Sequence, residues 1–269
     1  MNTTTELATA LLDAYDNAAR IPLPSHRVPG FDVDQAYAVA DEVRSRRIAR
    51  GELPLGYNIG FTNRSIWERY GVYAPMWGPV WDTTVAPTHG TEHRASLAGL
   101  VQPRLEPEIM FGISRAPRPG MSVDELVDCI EWVAHGFEIV HTHFDDWRFQ
   151  AADTAADFAL HGRLFVGPHV PIERFAVPRG ELAELQVELQ HDGATVDRGI
   201  GSVVLDGPLD ALRIWVDAMG AQPHHWPIAP GDIVSTGTLT DAWPLVPGQT
   251  WHTLLSDPRL PGVTLRTEP

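Results

Sequence analysis

Apolar residues recur three and four positions apart near the start of the chain, at Leu7, Leu11, Leu12 and Tyr15, which predicts an amphipathic helix over residues 5–20. A second is expected over residues 32–50, where Asp32 and Gln35 can form a capping box, Ala36, Val39, Ala40 and Val43 make the stripe, and Gly51 stops it. From Leu55 the pattern changes to short β-rich runs broken by Gly and Pro, from Tyr57-Asn58-Ile59-Gly60-Phe61 to Thr264-Leu265-Arg266. Two helices should interrupt it. Ser122 and Glu125 form a capping-box signature ahead of Leu126, Val127, Ile130, Val133 and Ala134, with Gly136 as the stop; Pro208 to Met219 repeats the pattern. Leu185, Val187 and Leu189 alternate with polar residues before His191-Asp192-Gly193, a hairpin signal. The pattern gives a small helical N-terminal region, residues 1–54, on a larger β-rich domain, residues 55–269.

Composition narrows the function classes. A formal net charge of −15 argues against nucleic acid or an anionic membrane surface as partner. All 20 cationic residues are Arg, so no Schiff-base lysine, pyridoxal phosphate anchor or P-loop lysine is available. No apolar run approaches the roughly 20 residues that span a bilayer, and the first residues lack a signal-peptide pattern, so a cytoplasmic protein is expected. The single Cys129 falls on the stripe of the third helix and reads as a buried thiol.

The sharpest chemical signal is Gln102-Pro-Arg-Leu-Glu-Pro-Glu-Ile-Met-Phe-Gly112. On a strand, Glu106 and Glu108 point to one face, and carboxylates that close repel or share a proton unless a cation lies between them. A hard divalent ion is one reading; the solvated face of a half-buried strand, opposite Leu105 and Ile109, is the other. Glu138 follows 30 residues after Glu108, beyond the helix expected from Ser122, so a strand, helix, strand unit can bring a third carboxylate to the pair.

Arg104-Leu-Glu106-Pro-Glu108, Phe137-Glu138-Ile-Val140, Asp146-Trp147 and Asp153-Thr-Ala-Ala-Asp157, with Gly56-Tyr-Asn-Ile-Gly60 upstream, resemble the 2-oxopent-4-enoate hydratase and 4-oxalocrotonate decarboxylase branch of the fumarylacetoacetate hydrolase superfamily. The resemblance covers most of the chain, as far as Gly231–Gly237 and Pro247-Gly248. It implies an α+β fold, a mixed β-roll with a small helical N-terminal region. It implies Mg²⁺ or Mn²⁺, with Ca²⁺ able to substitute, held by Glu106, Glu108 and Glu138. The substrate it implies is a small 2-oxo acid that chelates the ion, turned over through an enolate by a homo-oligomeric enzyme. Hydration comes first among the reactions, with decarboxylation or carbon–carbon hydrolysis next and a non-catalytic acid-binding relative as the alternative class.

This sequence departs from the family at the reacting end. Asn58 stands where the family carries Lys, and it can hydrogen-bond substrate but not transfer a proton near neutral pH. Phe158 and Leu160 make an apolar pocket wall, suited to a larger or less polar substrate tail, and His161 becomes the candidate general acid or base. Arg104 can hold a substrate carboxylate or neutralise the acidic cluster, Asp82 matches an acidic family position near the pocket or is a turn aspartate, and Thr238 can touch substrate or belong to a tight bend. His141 and His143 are assigned to the opposite strand face, and Trp147 to the core.

Overall fold

The computed structural model describes residues 3–86 and 89–269. Its helices are α1 (Thr3–Asn17), α2 (Pro24–Arg27), α3 (Val33–Ala49), α4 (Trp67–Tyr70), α5 (Val123–Val127), α6 (Ala151–Ala156), α7 (Pro178–Glu184) and α8 (Pro208–Ala221). Its strands are β1 (Pro54–Gly60), β2 (Met76–Trp81), β3 (Glu92–Ser96), β4 (Arg104–Ile113), β5 (Ile130–Val140), β6 (His161–Val166), β7 (Val170–Pro171), β8 (Gln186–His191), β9 (Ala194–Ile200), β10 (Ile233–Thr238), β11 (Trp243–Pro244), β12 (Thr250–Leu255) and β13 (Thr264–Glu268). The result is an α+β fold with two mixed sheets.

One sheet has the order β2-β1-β10-β4-β5-β6, with β11 added to β4 and β7 to β5; the other runs β3-β13-β12-β8-β9. Among the named strands, β1 with β10 and β3 with β13 pair in parallel, and the other pairs are antiparallel. The alternation at Leu185–Leu189 becomes the β8–β9 hairpin, whose Asp192 and Gly193 both take positive φ, as the tight turn requires.

The N-terminal helices fold as their pattern predicts. In α3 the side chain of Asp32 accepts from Gln35 N and the Gln35 side chain accepts from Asp32 N, completing the capping box. Leu7, Leu11, Ala36, Val39 and Val43 share one core with Tyr57, Trp77 and Trp215 of the β-rich region and α8. A second core lies under Leu105, Phe137 and Ile139, against Leu189, Trp251 and Leu265 of the smaller sheet.

The helix expected from Ser122 to Ala134 is shorter than its pattern. The capping box forms, but α5 ends at Val127, and Ile130–Val140 is strand instead. Ile130 and Val133 suit a strand as well as a helix, and pairing along the whole of β4 buries them on a sheet that a continued helix would leave incomplete. Cys129 is buried, in the turn between the two elements rather than on a helical stripe.

Candidate metal centre and active site

The antiparallel pairing of β4 and β5 sets Glu106 directly across from Glu138, and Glu108 across from Gly136. Two residues of separation keep Glu106 and Glu108 on one strand face, so register alone assembles the three carboxylates. One oxygen from each lies within 4.8 Å of the others. Glu108 and Glu138 are buried; Glu106 is half-buried and, with Glu138, lines a cavity of about 310 Å³.

The third wall is β10. Its register shifts between Ser235 and Thr238, a bulge that turns two donors toward Glu108: Ser235 Oγ and, at 2.8 Å, Gly237 N both donate to Oε2. Gly237 has φ +105°, and a Cβ there would lie 1.8 Å from Thr62 Oγ1, so only glycine fits. Glu108 Oε1 has no partner although it is buried. Burial, and then the charge of a neighbouring carboxylate, holds Glu106, Glu108 and Glu138 well above the usual carboxylate range. Three hard oxygen donors converging around an orphaned oxygen, their pKa values raised although Arg104 lies near Glu106, fit a divalent cation of the Mg²⁺, Mn²⁺ or Ca²⁺ type.

His161 lies behind this cluster. It is 2% exposed and does not line the cavity; Nδ1 is 2.6 Å from Glu138 Oε1 and Nε2 is 2.8 Å from Thr84 Oγ1. Burial first, then the charges around it from Arg47, His141 and Arg163, pushes its pKa well below the ordinary imidazole value. That corrects the expectation of a general acid or base titrating near neutrality. The ring is fixed from both sides and orients Glu138.

The segment before His161 explains two more departures. Phe158, Ala159 and Leu160 take φ of 57°, 49° and 64°, three successive left-handed residues without a glycine. This reverses the chain so that Leu160 lines the cavity whereas Phe158 enters the core, its ring 5.0 Å from Tyr15 and 5.9 Å from His143. Phe158 is therefore not a pocket-wall residue. Ala159 O accepts from Asn58 Nδ2 at 3.1 Å, and Asn58 Oδ1 accepts from Gly78 N at 3.1 Å. Asn58 does line the cavity, but it also ties β1 to β2 and to the left-handed turn.

Arg104 lines the cavity, its guanidinium carbon 4.2 Å from the centroid of Trp147. Thr238 lines it as well, with its hydroxyl donating to Thr240 O at 2.9 Å inside its own turn. Asp82 is outside: it is exposed and accepts from Leu53 N at 2.9 Å, because the chain turns at the end of β2 before reaching the site. His141 and His143 follow the end of β5 and are buried, the latter paired with Asp157 at 2.6 Å. Trp147 borders the cavity rather than the core, and with it stand Phe61, Tyr70 and Phe149, which sequence reasoning missed. No periodicity marks them; the left-handed backbone at Phe61 and Trp147 was not legible.

No family model matches the chain. Among curated relatives, 2-keto-4-pentenoate hydratase 1 of Dechloromonas aromatica is 30% identical over 238 residues, covering 87% of each protein. The 4-oxalocrotonate decarboxylase of Pseudomonas sp. strain CF600 is 27% identical over 241 residues, 89% of this chain and 86% of that one. In fold, the chain resembles 4-oxalocrotonate decarboxylase from Pseudomonas putida G7, solved with magnesium and adipate, with a TM-score of 0.90 at 24% identity over 98% of this chain and 97% of the other. Solved proteins of this fold hold magnesium, calcium or Mn²⁺. In fold it also resembles solved fumarylacetoacetate hydrolase family proteins, and by its relatives the chain belongs to the 2-keto-4-pentenoate hydratase family.

Proposed function

We propose that the chain is a divalent-metal-dependent lyase that hydrates a 2-hydroxy-2,4-dienoate, working as a homo-oligomer in the cytoplasm. The observation that carries this is the three-carboxylate cluster opening onto a cavity that also contains Arg104. Glu106, Glu108 and Glu138 would hold the ion. When bound, it supplies Lewis acidity beside the substrate's carboxylate and 2-oxygen, where enolate charge develops.

The chain's own residues do the rest. Arg104 sits one strand step from Glu106 and offers its planar donors to the substrate carboxylate. Asn58 donates one amide hydrogen to Ala159 O, and the second is available to a substrate oxygen. Glu138 is kept in place by His161, and Glu108 by Ser235 and Gly237. Among the described residues that line the cavity, the groups that can pass a proton are carboxyl groups and the Tyr70 hydroxyl, together with solvent. The enol proton leaves as the terminal carbon gains one, and water then adds hydroxyl to C4 and hydrogen to C3.

The test is loss of the ultraviolet absorbance of 2-hydroxypenta-2,4-dienoate with protein reloaded with Mg²⁺ or Mn²⁺. Metal-dependent turnover yielding 4-hydroxy-2-oxopentanoate is expected. Metal-dependent binding of pyruvate without turnover of any dienoate would instead make the chain a binding protein.

A further inference from the structure

Two sheet irregularities serve the two buried glutamates in the same way. The bulge in β10 between Ser235 and Thr238 turns Ser235 Oγ and Gly237 N onto Glu108 Oε2. The β5–β6 ladder shifts between Ile139 and Val140: an unbroken ladder would set Gly162 opposite Val140, and the shift sets His161 there instead, on the strand face that carries Glu138. Gly162 permits the shift, because a Cβ there would lie 2.7 Å from Ile139 O. His161 Nδ1 thereby comes to 2.6 Å from Glu138 Oε1, and Nε2 is fixed 2.8 Å from Thr84 Oγ1, which itself accepts from Trp81 N at 3.0 Å. Each buried glutamate has one oxygen engaged by the protein, and on Glu108 the other, Oε1, is buried without a partner.

We infer that the two irregularities make Glu108 and Glu138 one-oxygen ligands, with His161 the positioning residue for Glu138, and that the centre thereby favours Mn²⁺ and Mg²⁺ over Ca²⁺. The inference rests on the proposed metal site and deepens it. Two donors fill the lone pairs of Glu108 Oε2, which leaves Oε1 to the ion. Glu138 binds a cation as the carboxylate, so His161 Nδ1 then carries the ring proton and donates it to Oε1, Nε2 accepts from the Thr84 hydroxyl, and Oε2 is the better ligand. Carboxylates that give one oxygen each suit a compact octahedral ion, whose other positions go to substrate and water. Ca²⁺ takes about six to eight oxygens and reaches that number with two-oxygen carboxylates, which these contacts oppose. Loss of the His161 donor returns the second oxygen of Glu138, a gain for Ca²⁺ and of little use to Mn²⁺.

Calorimetric titration of the metal-free protein with Mn²⁺ and with Ca²⁺ tests this without substrate or turnover. We expect the wild type to bind Mn²⁺ about tenfold or more tighter than Ca²⁺. His161→Leu, which fills the space without a donor, should lose about tenfold or more in Mn²⁺ affinity while Ca²⁺ affinity stays within about threefold, so that the Mn²⁺ to Ca²⁺ ratio falls by about threefold or more. His161→Asn, whose amide can still donate to Glu138, should keep the ratio within about twofold of wild type. Ser235→Ala leaves Gly237 N on the same oxygen of Glu108 and should move the ratio the same way by a smaller factor, which carries the test if His161→Leu does not fold. No preference in the wild type, an unmoved ratio in a folded variant that lacks a donor, or a ratio in His161→Asn as low as in His161→Leu overturns the inference and makes His161 a structural group only. Failure of the wild type to bind either ion overturns the metal reading together with it.

Discussion

Asp153 and Glu108 are both buried carboxylates of motifs that stand out in the sequence, and they are treated in opposite ways. Asp153 is saturated by its own chain: Ser25 N at 2.8 Å, Ser25 Oγ at 2.8 Å and Gln150 N at 3.0 Å donate to its two oxygens, tying α6 to the segment between the N-terminal helices. Asp157 is likewise completed, by His143 and Thr142, and although burial raises its pKa, the paired imidazole holds it below the ordinary carboxylate range. Glu108 keeps one oxygen empty and faces two further carboxylates. A buried acid that the fold completes is structural, whereas one left incomplete beside like charges is held for a ligand.

The sharpest break of that contrast is an exchange of phenotypes. Glu108→Gln should weaken Mn²⁺ binding by at least about 100-fold, since it removes a ligand rather than a supporting group, and should abolish dienoate turnover. Without metal it should melt at or above the wild-type temperature, because it removes a buried charge under repulsion. Asp153→Ala should do the reverse, costing about 3 kcal/mol by stranding the Ser25 and Gln150 donors while the metal-free and metal-loaded forms still differ in melting temperature. Denaturant melts with metal titrations check both; a large loss of stability in metal-free Glu108→Gln would erase the distinction.

The same difference has a pH signature. Glu106, Glu108 and Glu138 have raised pKa values in the metal-free fold, so the stability they lend is complete below the unfolded carboxylate value and is lost as pH rises and they are forced to ionise. A cation binds only the ionised forms and removes that penalty. The rise in melting temperature on adding Mg²⁺ should therefore grow steadily from pH 5 to pH 8. A rise that is flat across this range would mean that the ion binds somewhere other than the three glutamates.

How legible this was depended on whether neighbours in sequence or neighbours in space decide the feature. The helices at residues 5–20 and 32–50 and the hairpin at Asp192-Gly193 follow from local periodicity and turn chemistry, and the α+β class with them. The carboxylate cluster was readable because period-2 geometry fixes Glu106 with Glu108 and the next strand brings Glu138. Ile130–Val140 misled because a short apolar run fits either period, and pairing with β4 decides it. Phe158 and Leu160 looked equivalent, but the left-handed turn separates them. His161 looked titratable because sequence does not show burial against Glu138.

Asn58 tests the contrast where it is most delicate, since it both lines the cavity and is bonded at each end of its amide. If those bonds make it a structural group, Asn58→Ala should cost about 2 kcal/mol, the desolvation of a stranded Gly78 N–H and Ala159 carbonyl. A lysine at this position can donate to Ala159 O but offers no acceptor to Gly78 N, so the asparagine is fitted to β2 and the left-handed turn as much as to substrate. Mn²⁺ affinity of Asn58→Ala should stay within about threefold of wild type, because no bond from Asn58 reaches the three glutamates and a difference that small is under 1 kcal/mol. A metal-affinity loss approaching that of Glu108→Gln, with stability unchanged, would move Asn58 from the completed groups to the incomplete ones.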